Sequence, residues 1–406
     1  MTTTNLEKTR FDFPAINQKI NGRPVIYFDN ACMSLRPKQV IQAMNEYYEQ
    51  YPACAGRSMH KFASKVNEKM SEARDIMANF IGAKKSEEII FTRNTTEGLN
   101  LVANSLNFKH GDVVVTSDRE HNSNLIPWQI ISKTKKIVHK VVRSKKDMTF
   151  DLEIFEKNMN KNVKLVSMVH TSNLDGYTLP VEKIIRIAHD YGSLVMLDCA
   201  QSVPHKKIDV KKLNVDFVAF SGHKMVGPSG IGILYGKYHL LEEMNPFLVG
   251  GDTVSNTTYD SHTLLKPPEK FEAGLQNYAG NIGLGAAAKY LDNIGRENIE
   301  KHEIEINRFI TQNITDIPSL SILGPEEVEQ RGGIFSFNIK DIHFHDVAMM
   351  LDNIANIMIR SGQHCVHSWF NANKIEGSAR ASLYFYNTKE EAKIFVEKLK
   401  EISKLR

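Results

Sequence analysis

Ser221-Gly222-His223-Lys224 closes an apolar run, Val215 to Ser221, and leads into the apolar, Gly-rich stretch Met225 to Gly232. A lysine at the C-terminal end of a parallel strand lies where open α/β sheets bind ligands. Burial there favours its neutral amine, which can condense with a carbonyl to form a Schiff base. Taken alone the tetrapeptide reads more often as a surface turn, although its apolar flanks are poor material for a solvated one. Asp198 ends a second apolar run, Ser193 to Asp198. A carboxylate so placed is either a helix N-cap or a buried charge with a partner. The second alternative is what pyridoxal 5'-phosphate requires, because an acid beside its pyridine nitrogen keeps the ring protonated and able to accept electrons. One strand-loop-strand step separates Asp198 from Lys224, a spacing that suits this pairing.

Two further segments fit the same chemistry. Thr92-Arg93-Asn94-Thr95-Thr96-Glu97 links a strand to a helix. The backbone N–H groups and hydroxyls there could bind a phosphate, or Thr could simply cap the helix. His121, in Glu120-His121-Asn122-Ser123-Asn124, could stack on a cofactor ring or be an exposed loop histidine. A metal site is the competing use of the histidine-rich C-terminal region. His343 and His345 could share one face of a strand, but His343, His345, His364, Cys365 and His367 match no standard zinc spacing, so no metal is expected.

The elements that must position these residues are short apolar strands alternating with helices. Glu88 to Thr92, Asp112 to Thr116, Val163 to His170, Ser193 to Asp198, Val215 to Ser221 and Gly230 to Tyr235 read as strands. Runs apolar on both faces suit a mostly parallel sheet covered by helices on each side. Helices are expected from Thr96 to Leu106, from Ser123, and from Pro180 to about Tyr191-Gly192. After about Gly285 the pattern changes to long charged helices, a strand Gly333 to Ile339, a helix after Asp346 and a last amphipathic helix from Lys389. The expected organisation is an N-terminal segment (1–30) packing with the small domain, a large domain (31–285) and a smaller α/β C-terminal domain (286–406).

Length and composition agree with an ordinary globular chain. Its 406 residues, 42% hydrophobic and 24% charged, suit a large domain beside a small one. A formal net charge of +4, with no basic stripe interleaved with aromatics, argues against nucleic acid. No stretch approaches the ~18 apolar residues that span a bilayer. The first residues lack an apolar signal core, and Cys32, Cys54, Cys199 and Cys365 show no C-x-x-C pattern. They read as reduced thiols of a cytoplasmic protein, each of them potentially reactive or simply a small buried hydrophobe.

In this order, these segments resemble the class V (fold type I) aminotransferases, specifically the SufS-like, group II cysteine desulfurases. The resemblance runs from Val25-Ile26-Tyr27-Phe28-Asp29-Asn30-Ala31 to the C-terminus. It includes the stretch beginning Phe91-Thr92-Arg93, Ser221 to Tyr235, Phe271 to Gly274, Arg360 to Cys365 and Ala379 to Thr388. It implies a large domain with a mostly parallel seven-stranded sheet, a smaller α/β domain, and a homodimer. It also implies that Lys224 is the Schiff-base lysine and that Asp198 pairs with the pyridine nitrogen. Gln201 and Asn173 then approach the phenolic oxygen, and Thr95, Thr96, Ser221 and His223 hold the phosphate. His121 stacks over the ring and is a candidate for proton handling. Arg380 clamps the substrate carboxylate, with Asn173 and Arg360 also at the substrate.

Cys365 decides which reaction the resemblance implies. A desulfurase needs a thiolate to take sulfur from L-cysteine as a persulfide, leaving L-alanine. A free thiol is only about 3% ionised at pH 7, so the neighbouring Arg360, His364 and His367 would help. The sulfur would pass to an acceptor or scaffold protein for iron–sulfur clusters or other sulfur cofactors. A selenocysteine lyase uses the same chemistry; an aminotransferase or epimerase has no need of Cys365, and a catalytically silent scaffold needs none of it. Three positions depart from the family pattern. Leu275-Gln276 stands where many relatives carry Thr-Pro, whose threonine reaches a neighbouring subunit's phosphate. Asn122 replaces a second histidine, and Val366-His367-Ser368-Trp369 replaces small residues and proline in the loop that sets acceptor access.

Overall fold

The computed structural model describes residues 6, 8–56 and 58–405. Seven strands share one sheet: β1 (Ile89–Thr92), β2 (Val113–Ser117), β3 (Val138–Val142), β4 (Val163–Val169), β5 (Leu194–Asp198), β6 (Phe217–Ser221) and β7 (Gly232–Gly236). Their order is β1-β7-β6-β5-β4-β2-β3. The five from β3 to β6 run parallel, whereas β7 is antiparallel to both β6 and β1. Every residue of β1, β2, β6 and β7 is buried. Alternate side chains therefore enter two different cores, one on each face. Val218 and Phe220 join one core, while Phe217 and Ala219 join the other.

Two features of this sheet differ from the sequence reading. Gly230 to Tyr235 supplies a strand, but it runs against its neighbours. Burial on both faces looks the same in either direction, so the apolar run carries no direction. The edge strand β3 was not read as a strand at all. Its polar residues are mixed with the exposed Val138 and Val141, as expected where one side of a strand has no neighbour.

Helices α1 (Lys38–Gln50), α2 (Lys61–Ile81), α3 (Thr95–Ser105), α4 (Asn122–Thr134), α5 (Val181–Asp190) and α6 (Tyr278–Ile294) cover the sheet or pack on one another. Pro180 is the N-cap of α5, which buries Ile184, Ile185, Ile187 and Ala188. Gly285 lies in the middle of α6, whose apolar face packs with α1 and α2 in the first core. Gly295, with a positive φ, then separates α6 from α7 (Arg296–Asn313).

A second sheet follows, made of β8 (Leu320–Leu323), β9 (Ile334–Ile339), β10 (Arg360–Gly362) and β11 (Ser378–Ser382). It is antiparallel in the order β8-β9-β11-β10. With α7, α8 (Phe344–Ala355) and α10 (Lys389–Ile402) it encloses a core of its own. The segment before α1 visits both cores. Phe13 and Ile16 pack in the first, whereas Ile26 and Phe28 pack in the second, beside the pairing of Ile26–Tyr27 with Ile357–Met358. Asn30 donates to the Ser382 carbonyl at 2.8 Å and to Asn387 at 3.1 Å. These contacts hold the chain from Asp29 to Cys32 at the seam between the two units.

One close approach sets the position of α3. A Cβ on Gly232 would sit 2.7 Å from both the Asn94 Cα and the Phe220 carbonyl oxygen. Glycine at that point lets the start of α3 lie against β7. Gly232→Ala must push these backbones apart, with an expected loss of about 1–3 kcal/mol of unfolding free energy in urea titration. Unchanged stability would show that the approach is not tight.

Candidate active site

The C-terminal ends of the parallel strands open onto a cavity of about 230 Å³, closed from the other unit by β11 and the loop after β10. Thr95, Thr96, His121, Asn173, Asp198, Gln201, Ser221, His223, Lys224, Arg360, Cys365 and Arg380 all line it. The residues expected to bind the cofactor and substrate therefore meet at one place, whereas His343, His345, Leu275 and Gln276 lie outside it.

Lys224 and Asp198 are set by the ends of neighbouring strands. Lys224 closes the short turn Gly222–Lys224 directly after β6, half-buried in the cavity wall. Desolvation pushes its pKa down; Asp198 opposes the shift and Arg380 adds to it. Burial pushes the Asp198 carboxyl up, against a hydrogen bond from the Ala200 N–H (3.0 Å) and the charge on Lys224. The pair amounts to an amine held toward its reactive neutral form and a carboxylate that a further cation would relieve.

A second group of residues gathers at the start of α3. Asn94 caps this helix, accepting from the Glu97 N–H at 3.0 Å. The Thr95 N–H donates to the Ser221 hydroxyl (2.8 Å), which also meets the Thr95 hydroxyl at 2.6 Å. The Thr96 and Ser123 hydroxyls are 2.7 Å apart. Hydroxyls clustered at the positive end of a helix are suited to a phosphate.

His121 is the N-cap of α4. Its Nδ1 accepts the Ser123 N–H at 3.1 Å, so the neutral ring carries its proton on Nε2. Burial, aided by the charges of Lys224, Arg380 and His367, pushes its pKa down to about 3. It is a neutral donor at ordinary pH.

The remaining residues tie the two units together. Asn173 Nδ2 donates to the His364 carbonyl (2.7 Å), and Arg380 Nη1 donates to the Asn173 carbonyl (2.8 Å). Gln201 Nε2 donates to the Ala31 carbonyl at 2.6 Å. The Arg119–Asp175 ion pair (2.7 Å), buried on both sides, braces the loop that carries Asn173. Arg360 grips the Asp29 carboxylate through Nε and Nη2 at 3.0–3.2 Å. Among the described residues, the buried Arg380 Nε and His364 Nδ1 have no hydrogen-bond partner. These are unmet donor and acceptor capacities beside the cavity, and a bound carboxylate would satisfy the arginine.

Cys365 stands on the loop between β10 and α9 (His367–Asn373), exposed to solvent as well as to the cavity. His364 and Cys365 both have left-handed backbones, with φ of 49° and 58°. Such conformations cost non-glycine residues energy and persist where the surroundings hold them. Here the Asn122 N–H holds the Cys365 carbonyl (2.7 Å), and the Asn122 amide meets His367 Nδ1 at 2.9 Å. The residue in place of a second histidine thus anchors the cysteine loop. Gln276 donates to carbonyls of its own turn, and Leu275 beside it is exposed.

Sequence reasoning missed some of the wall. Cys32, Asn94, Ser123 and Thr171 also line the cavity. Cys32 follows directly on the quoted Asp29-Asn30-Ala31, and that adjacency was the available signal. His343 and His345 lie at the start of α8 rather than on a strand, and His345 bonds Ser361 at 2.7 Å. Among the described residues no group of three or more His, Cys, Asp or Glu side chains could hold a metal. Among the described residues, no helix is long and apolar enough to cross a membrane.

Residues 26–395 match the aminotransferase class-V family model. The chain belongs to the aminotransferase class-V family. Within that family it is 43% identical over 397 residues to a probable cysteine desulfurase of Synechocystis sp., covering 96% of this chain and 94% of that one. A probable cysteine desulfurase of Pyrococcus abyssi is 41% identical, covering 98% of both chains. Among solved structures, the apo cysteine desulfurase of Thermococcus onnurineus superposes with a TM-score of 0.93 at 40% identity, covering 98% of each chain. The cysteine desulfurase CsdA of Escherichia coli gives 0.91 at 29% identity, covering 100% of this chain and 99% of that one.

The buried histidines of this class-V site have a consequence for stability. Burial, with the charges of Arg380 and Arg360, pushes His364 from 6.5 down to about 2. Between those values the unfolded chain binds one more proton than the folded one. The contribution of His364 is therefore complete above pH 6.5 and lost as the pH falls below it. Replacing His364 by Gln is expected to flatten the pH dependence of unfolding free energy below pH 6.5 by up to about 1.4 kcal/mol per pH unit. Urea titrations at several pH values check this; parallel curves for the two proteins would contradict it.

Proposed function

We propose that this chain is a pyridoxal 5'-phosphate-dependent cysteine desulfurase that converts L-cysteine to L-alanine and takes the sulfur as a persulfide on Cys365. One observation carries the reading: the exposed Cys365 thiol opens onto the same cavity as the half-buried Lys224. Other class-V chemistries have no use for a thiol there. The names of the relatives support the substrate.

The residues fit the cofactor. Lys224 supplies the amine for its aldehyde, Asp198 a carboxylate that lacks a full counter-charge, and the start of α3 with Ser221 and His223 a phosphate seat. When bound, the cofactor supplies a carbonyl that condenses with amino groups and a ring that takes up the electron pair released at Cα. Lys224 Nζ, displaced toward its neutral form, would take the Cα proton of the bound substrate. Asp198 would hold the ring nitrogen protonated. His121, with its proton on Nε2, would donate into the cofactor site, and Arg380 would hold the substrate carboxylate, with Arg360 beside it. The Cys365 sulfur attacks the substrate Sγ, so that an S–S bond forms as the Cβ–Sγ bond breaks. The electron pair stays on Cβ, which gains a proton and becomes the methyl group of alanine.

Exposure of Cys365 suits onward transfer to an acceptor or scaffold protein of iron–sulfur or other sulfur-cofactor assembly. Free thiols on all four cysteines suit a cytoplasmic setting. A homodimer is supported by the exposed Phe247, Leu248, Val249, Tyr259 and Leu275, gathered in one stretch of chain. The deciding experiment incubates the purified holoenzyme with L-cysteine and measures alanine together with persulfide on Cys365. Cys365→Ala is expected to lower both by at least about 100-fold, the scale of loss when a nucleophile is removed. Unchanged alanine production by that variant would overturn the nucleophile assignment.

A further inference from the structure

Two of the four cysteines share the cavity. Cys199 is buried behind it beside His170 (3.8 Å), and Cys54 is exposed elsewhere. Cys32 lines the cavity wall together with Cys365, but the two sit differently. Cys365 is exposed on its loop, whereas Cys32 is half-buried. Arg360 Nη2 donates to the Cys32 Sγ at 2.7 Å while the same guanidinium holds Asp29. Such a charge-assisted donor suits a sulfur that accepts negative charge. Both cysteines share this wall with Lys224. The unpartnered Nε of the buried Arg380 in the same wall is a second sign that this corner receives an anionic group.

We propose that Cys32 is a second sulfur carrier, taking the sulfane sulfur from the Cys365 persulfide and storing it inside the cavity. This rests on the desulfurase reading. The Cys32 sulfur attacks the terminal sulfur of Cys365–S–SH. One S–S bond forms as another breaks, Cys365 leaves as the thiolate, and the proton from Cys32 restores its thiol. The products are Cys32–S–SH and Cys365–SH, so no outside oxidant or reductant takes part. Transfer frees Cys365 for a second turnover and moves the first sulfur from an exposed loop to a position covered by Arg360.

The test loads holoenzyme with L-cysteine labelled in its sulfur, with neither reductant nor acceptor present. Sulfane sulfur is counted by cyanolysis to thiocyanate, and the label is located by peptide mass spectrometry. About two sulfane sulfurs per chain are expected in the wild type, on Cys32 and Cys365, and about half that number in Cys32→Ala. Peptide mapping of the wild type reads the site directly, independent of how the variant folds. A single labelled sulfur on Cys365 alone would overturn the relay while leaving the desulfurase reading intact. So would a Cys32–Cys365 disulfide with released sulfide, or label on Cys32 in Cys365→Ala. If Cys365→Ala forms alanine as fast as the wild type, the failure lies in the desulfurase reading itself.

Discussion

Lys224 and Arg380 face one cavity from different units of the fold, and burial works against the charge on both. Their carboxylate neighbours are Asp198 on one side and Asp29 on the other, the latter 3.6 Å from Arg380 and shared with Arg360. Charges kept out of water need partners or a shifted protonation state. Lys224 is displaced toward its neutral amine, and Asp198 toward its acid. A cofactor with a cationic ring nitrogen and a substrate with a carboxylate would each relieve one of these imbalances. In the proposed function, binding and reactivity would thus come from the same electrostatic deficit.

Such a deficit holds only if the walls stay in place. The parallel strands deliver Asp198 and Ser221 from their C-terminal ends, and each of these strands is packed on both faces. The opposite wall is held by hydrogen bonds across the seam. Asn173 is their centre, since it receives Arg380 and holds the His364 carbonyl, and its own loop is braced by the buried Arg119–Asp175 pair. Asn122 adds a second hold on the cysteine loop. The left-handed backbones at His364 and Cys365 show that this loop is shaped by its contacts rather than by local preference.

The site was legible in the sequence to the extent that its residues end apolar strands. Asp198 and Lys224 stand where a run of buried residues stops, so strand pattern and chemistry point to the same positions. What pattern could not carry was direction and edge. β7 runs antiparallel although its residues look like those of its parallel neighbours, and β3 escaped notice because an edge strand is half solvated. Cys32 carries no signal of its own, because a lone cysteine in a sequence is by default a small buried hydrophobe. Only the fold brings it beside Arg360, a residue 328 positions away in the chain. The anchoring role of Asn122 was hidden in the same way, since its partners lie on a loop 243 to 245 positions distant.

The proposed chemistry depends on covalent attachment of the cofactor to Lys224. Borohydride reduction of holoenzyme reconstituted with pyridoxal 5'-phosphate, followed by peptide mapping, fixes the carbon–nitrogen link irreversibly and reports which lysine carries it. Modification of Lys224 alone, absent in Lys224→Ala, is the expected result. A stable adduct on another lysine in the wild type, or reconstitution that leaves Lys224 unmodified, would contradict it.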